Sequence, residues 1–346
     1  MDIENRKDLK SRAKQYLEQA PAAPKLALSY AAILTGISLF TNAVNYFLGT
    51  QISGTGGLSN LGLRSMLSTV QTMLPLVLNF LLICLGLGFT GAMLRVSRGQ
   101  YASLRSMKVG FERFWVLLRA TLLQGGLYVL AGMAAYTISM QLFFLTPMSK
   151  NLLATLAPMM SSSSPDIMAL LENPLVLDQM AHAMIPLYGI TIVLFLLLCA
   201  PIYYRLILTK YMILDNPGMG ALAAMQLSRQ FMKKKCMQFF KLDLSLWPYY
   251  VLSGLGLLTA SAPAILSLLG IQVSLSPTVL SLVCFLAYLA ITFAATLLLQ
   301  PHMEVTHALA YEALKPRVQS TGGAVLGNIF DLAREQMQEN QNSDQF

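Results

Sequence analysis

From Leu244 to Met303 the chain carries no Asp, Glu, Lys or Arg. A hydrocarbon layer about 30 Å thick is crossed by about 20 apolar residues in a helix. The run is therefore long enough to cross twice, with LGIQVSLSPT (269–278) as the turn. Lipid offers no water to unpaired backbone groups, so the crossing form is helical. The rest of the chain agrees. It is 55% hydrophobic and 12% charged, where a soluble domain carries about 25% charged residues. Four further apolar segments raise the number of expected spans to six: about 26–48, 67–94, 114–144, 184–208, 244–269 and 278–300. Charge is kept out of them because one Lys, Arg or Asp at a span centre costs about 2.5–3.5 kcal/mol. The expected fold is all-α, a polytopic membrane protein with amphipathic interfacial helices.

The net charge of +8 does not mark a nucleic-acid binder, because the cations lie between apolar segments. Arg6, Lys7, Lys10, Arg12, Lys14 and Lys25 precede span one. Arg95, Arg98, Arg105, Lys108 and Arg113 follow span two. Arg205, Lys210, Arg229, Lys233, Lys234, Lys235 and Lys241 follow span four, and Lys315, Arg317 and Arg334 lie in the tail. The alternate loops hold only Arg64 and Lys150. The positive-inside rule then places both termini in the cytoplasm. The apolar run 26–48 is longer than a signal-peptide core, and no clear cleavage site follows it, so it reads as an uncleaved span. The expected organisation is a basic amphipathic head (1–24), a six-span domain (25–314) with an outer loop (147–183), and a polar cytoplasmic tail (315–346). In the loop, Ser164-Pro165 and Asn173-Pro174 suggest two short helices. The four cysteines show no CxxC spacing and suggest neither a disulfide framework nor a metal knot.

The stretch KYMILDNPGMGALAAMQLSRQFMKKKCMQFFKLDLS (210–245) interrupts this pattern. Asp215 or Asn216 would cap a helix over 217–240 that begins at Pro217. A helical wheel puts Gln226, Arg229, Gln230, Lys233 and Lys234 on one arc. Ala224, Met225, Leu227, Phe231 and Met232 fall on the other, with Ser228 and Lys235 at its edges. Such a helix lies in the headgroup plane with its cations toward anionic lipid. The head repeats the pattern, with Leu9, Ala13, Tyr16, Leu17 and Ala20 opposite Lys7, Lys10, Lys14 and Glu18. A plainer reading, solvated basic loops, stays open for both. The spans form three hairpins closed on the outer side.

Within this stretch YYRLILTKYMILDNP, ALAAMQLSRQFMKKK and FFKLDLSLW resemble a family of bacterial integral membrane proteins known as domain of unknown function 975. The family pattern falls on Tyr204, Arg205, Asp215, Asn216, Pro217, Ala224, Ser228, Asp243 and Ser245. The head RKDLKSRAKQYL and the segment ALAYEAL are similar to the family's two ends. The chain departs from the pattern twice. Lys233-Lys234-Lys235-Cys236 replaces a glycine-containing basic turn, and Leu246-Trp247-Pro248 stands where Gly-Trp is usual. The resemblance implies a membrane fold and no activity.

No P-loop, GxSxG or GxGxxG motif beside a strand is present, and no cofactor or metal is expected. HMEVTH (302–307) spaces its histidines too widely for one zinc face and reads as an interfacial helix cap. For Asp215 the plain role is a helix cap, and for Asp243 an ion pair with Lys241 or Arg205. Asn42, Asn45, Asn79 and Gln124 would line a solute path or join helices by hydrogen bonds. Cys84, Gly88 and Ala92, and likewise Gly256, Ala260 and Ala264, suit close helix packing. The leading expectation is a non-enzymatic protein whose basic helices, through Arg229, Lys233, Lys234 and Lys235, bind anionic headgroups or dock partners. A small-solute or lipid transporter is the alternative. A membrane-embedded lipid enzyme is a third reading, and would draw on Asp215, Asp243, Glu304 and His302.

Overall fold

The computed structural model describes residues 5–54, 61–147, 149–151, 154, 174–268 and 276–315. Among these residues there are helices and turns and no strand. Helix α1 (Arg6–Gln19) precedes the long α2 (Ala23–Gly54) and α3 (Leu61–Ser97). A 3-10 turn (Leu104–Lys108) leads into the short α4 (Val109–Glu112) and then α5 (Phe114–Phe144). Next come α6 (Pro174–Leu206), α7 (Thr209–Asp215), α8 (Ala221–Phe231) and α9 (Cys236–Ser245). The chain ends with α10 (Trp247–Leu268), α11 (Pro277–Ala294), a π-helical turn (Ala295–Leu299) and α12 (Gln300–Leu314).

Six helical segments are long and apolar enough to cross a membrane, and the chain is a multi-pass membrane protein. They pair as three hairpins: α2 with α3, α5 with α6, and α10 with α11. Their length exceeds what a bilayer needs. Helix α5 has 31 residues, or about 46 Å at 1.5 Å per residue, against about 30 Å of hydrocarbon. The surplus is used at the basic end of the bundle, and there the buried core collects. Leu9, Phe89, Met93, Tyr211, Met212, Phe239, Val305 and Tyr311 belong to one cluster. Away from it the spans show apolar side chains on their surface, such as Phe47, Leu130, Leu197 and Leu257. That is how helices present themselves to lipid.

Helix α12 is the axis of this core. It continues span six through the π turn, and residues Met303–Tyr311 are all buried. Helices α1 and α3 pack directly on it. The segment 104–112 is folded against α3 at two glycines. A Cβ on Gly88 would stand 2.1 Å from the Met107 carbonyl oxygen, and one on Gly110 would stand 2.0 Å from that of Cys84. Only glycine allows backbones so close. The small-residue spacing of Cys84, Gly88 and Ala92 thus faces a neighbouring backbone. Gly256 meets Ile291 and Thr292 of α11, while Ala264 is exposed.

Several expectations change. Pro174 begins no separate short helix: it is the first residue of α6, and the stretch apolar enough to cross starts at Pro186, close to the expected Met184. The expected helix 217–240 is two helices broken at residues 232–235. Asp215 and Asn216 do not cap its start. They close α7, and Gly220 precedes α8. The apolar arcs of α1 and α8 are turned to protein rather than lipid: Leu9 and Ala13 are buried, as are Ala221, Ala224, Met225 and Ser228. The expected short helix at Ser164-Pro165, and the tail beyond Lys315, lie outside the described residues.

Candidate functional site: an ionic layer and a basic surface

The charged groups of the basic end form a layer around α12. Glu304, buried on α12, accepts from Lys210 Nζ at 2.8 and 2.9 Å through its two carboxylate oxygens. Tyr211 OH donates to Glu304 Oε2 at 3.0 Å and Thr90 Oγ1 to the same oxygen at 3.2 Å. One turn along, His307 Nε2 lies 2.6 Å from Asp243 Oδ1, with both side chains buried. Near the end of α12, Asp215 accepts from Arg98 Nη2 at 2.8 Å, Tyr311 OH at 3.0 Å and Lys315 Nζ at 2.6 Å. Arg98 also binds Glu312 through Nε and Nη2. Burial works against the Arg98 charge, but Glu312 and Asp215 outweigh it and hold its pKa above the ordinary guanidinium value. The rings of Tyr211 and Tyr311 stack with centroids 5.5 Å apart.

Two sequence readings are corrected here. HMEVTH is no cap, since it runs on inside α12 with Glu304 and His307 buried. Asp243 pairs with His307, not with Lys241 or Arg205. The signal for both was the surround: Glu304 and His307 stand among Met303, Val305, Ala308 and Leu309. A charge buried among apolar side chains must find a partner. His302 contacts the Lys10 carbonyl at 3.3 Å. Asp215, Asp243, Glu304 and His302 therefore share one end of the molecule, each tied to a different partner. Among the described residues no group of His, Cys, Asp and Glu is arranged to hold a metal ion.

The remaining motif residues lie at seams between helices. Ser228 Oγ donates to the Arg205 carbonyl at 2.9 Å and fixes α8 to α6. Tyr204 meets Phe240 edge-on at 5.8 Å. Asn216 Nδ2 donates to the Met212 carbonyl at 3.2 Å. The Pro217 carbonyl accepts from Arg113. The Ser245 carbonyl accepts from Lys10 at 3.2 Å, tying in α1. All of these are tertiary joints except the Asn216 bond, which closes the end of α7 on itself.

The sequence profile of a family described as "Protein of unknown function (DUF975)" matches residues 1–318. The chain belongs to that family. No curated protein and no solved structure matches it. Within the turn Lys233-Lys234-Lys235-Cys236, this chain places Lys234 at φ 66°. That is the left-handed region, which glycine enters freely and lysine does not.

The basic surface lies on the α8–α9 side. Arg229, Lys233, Lys234 and Lys241 are exposed and Lys235 is half-buried. Along α9 and into α10, Met237, Phe240, Leu244 and Trp247 are also exposed. Their spacing of three or four residues makes one stripe. The expected cavity residues are not brought together. Asn42 and Asn79 are exposed on the first hairpin, where Asn42 Nδ2 bonds back to the Ser38 carbonyl. Asn45 is half-buried on the same hairpin. Gln124, on α5, donates to Tyr128 at 3.4 Å and lines a cavity of about 170 Å³ with Lys210. A functional candidate that the sequence reading passed over is Arg119. It is the lone charge in Phe114–Phe144 and is exposed. A charge inside an apolar span is itself a signal for a site.

Proposed function

We propose that the protein is a non-enzymatic anchor of the cytoplasmic leaflet, with its basic end and both termini in the cytoplasm. One observation carries the reading: an exposed apolar stripe, Met237–Phe240–Leu244–Trp247, runs beside exposed Lys233, Lys234 and Lys241. Apolar side chains and cations side by side on α9 and its two flanks suit the boundary between acyl chains and headgroups, and tryptophan favours that depth. Each cation near an anionic surface contributes about 1 kcal/mol. The ionic layer around α12 holds this surface rigid by joining α3, α7, α9 and α12. Its acids are engaged with Lys210, His307, Arg98 and Lys315, which favours architecture over catalysis.

The test is the lipid shell of the protein. In vesicles of phosphatidylcholine and phosphatidylglycerol, a spin-labelled phosphatidylglycerol should be enriched beside the wild type. Replacing Lys233, Lys234 and Lys235 with Gln should remove most of that enrichment while thermal stability is unchanged. Equal enrichment in both proteins would refute the proposal.

A further inference from the structure

A groove of about 560 Å³ runs between α5, α6 and α8, within the range of about 300–1,000 Å³ typical of small-molecule sites. Its walls are apolar: Leu123, Leu127 and Leu130 on α5, Ile202 on α6 and Met225 on α8. Arg205 and Arg229 line it at the basic end, and no acidic residue does. Arg119 stands one helical turn before Leu122 and Leu123, on the same face of α5. None of the three arginines has an acidic partner within ion-pair distance among the described residues, although every buried acid nearby is matched to a cation or histidine. From Leu122 to Leu130 the groove follows about 12 Å of helix, close to the ~15 Å hydrocarbon depth of one leaflet.

We infer that this groove binds one anionic phospholipid, its phosphate on Arg205 and Arg229 with Arg119 beside them, and one acyl chain along α5. Guanidinium groups suit phosphate because they donate in a planar fork. The apolar wall continues along two membrane-spanning helices, so the occupant comes from the bilayer. A free phosphate would leave the wall uncovered. The inference rests on the leaflet orientation proposed above, but it uses different residues from the lysine surface.

The experiment is lipid retention. Wild-type protein in phosphatidylglycerol/phosphatidylcholine nanodiscs is extracted in mild detergent, and bound lipid is counted by native mass spectrometry. One phosphatidylglycerol should remain on the wild type. Arg205→Gln with Arg229→Gln should reduce its retention roughly tenfold. Gly126→Leu blocks the groove without touching a cation, since a Cβ there meets nothing within 4 Å, and should also expel the lipid. The Lys233, Lys234, Lys235→Gln protein should keep it. Retention by both the arginine variant and Gly126→Leu overturns the inference. Loss in the arginine variant alone reduces it to a headgroup contact and overturns the groove. Loss in the lysine variant alone overturns it as well, while leaving the lysine surface standing.

Discussion

Glu304 directly follows the longest uncharged stretch of the chain, yet it is one of the most buried acids in the structure. A carboxylate so placed is tolerated because Lys210, Tyr211 and Thr90 replace the water it lost. Removing it leaves Tyr211 and Thr90 without their acceptor and the half-buried Lys210 without its acid. Glu304→Ala should cost about 1–3 kcal/mol, whereas Glu304→Gln, which keeps an acceptor, should cost less. Thermal unfolding in detergent would show the order, and equal midpoints for the two would contradict the pairing. Lys234 makes the opposite case. Its left-handed backbone costs a side-chain-bearing residue about 1–2 kcal/mol. Lys234→Gly should therefore raise the unfolding temperature, and a lowered one would show that the lysine side chain contributes more than the strain. That Lys233-Lys234-Lys235-Cys236 departs from the turn the resemblance implies was legible in sequence, while the positive φ at Lys234 needed coordinates.

The helices show where periodicity reads true and where it stops. The apolar arc over Ala224, Met225, Leu227 and Phe231 is real in α8, and Leu9 and Ala13 mark the inner face of α1. Periodicity reports that a face is covered, not by what. Both faces lie on protein, and the exposed apolar stripe belongs instead to α9. Propensity hid the break between α8 and α9, because consecutive lysines are good helix formers and give no stop signal; only the family resemblance pointed to a turn there. Small-residue spacing carried further. Gly88 lies where the Met107 carbonyl allows no Cβ, so Gly88→Ala should destabilise by about 1–3 kcal/mol. Gly36→Ala, where nothing lies within 4 Å, should be neutral or stabilising. Comparing the two melting temperatures tests the contact, and an equal response would refute it.

Across the whole molecule, three hairpins are joined at their basic end, where the surplus length of the spans folds into a core around α12. Orientation can be read from a native residue. Cys236 follows the lysine turn and is partly exposed, Cys84 is buried, and Cys199 and Cys284 lie within spans. A membrane-impermeant maleimide should label Cys236 in inside-out vesicles and not in intact cells. Labelling in intact cells would invert the proposed topology. By itself the sequence determined the number of crossings and their hairpin pairing, because the cost of charge in hydrocarbon acts on each segment separately. The tertiary structure alone decided which cation meets which acid. Lys210 and Glu304, or Asp243 and His307, are distant in the chain, and only the packing of α7, α9 and α12 brings such groups within hydrogen-bond reach.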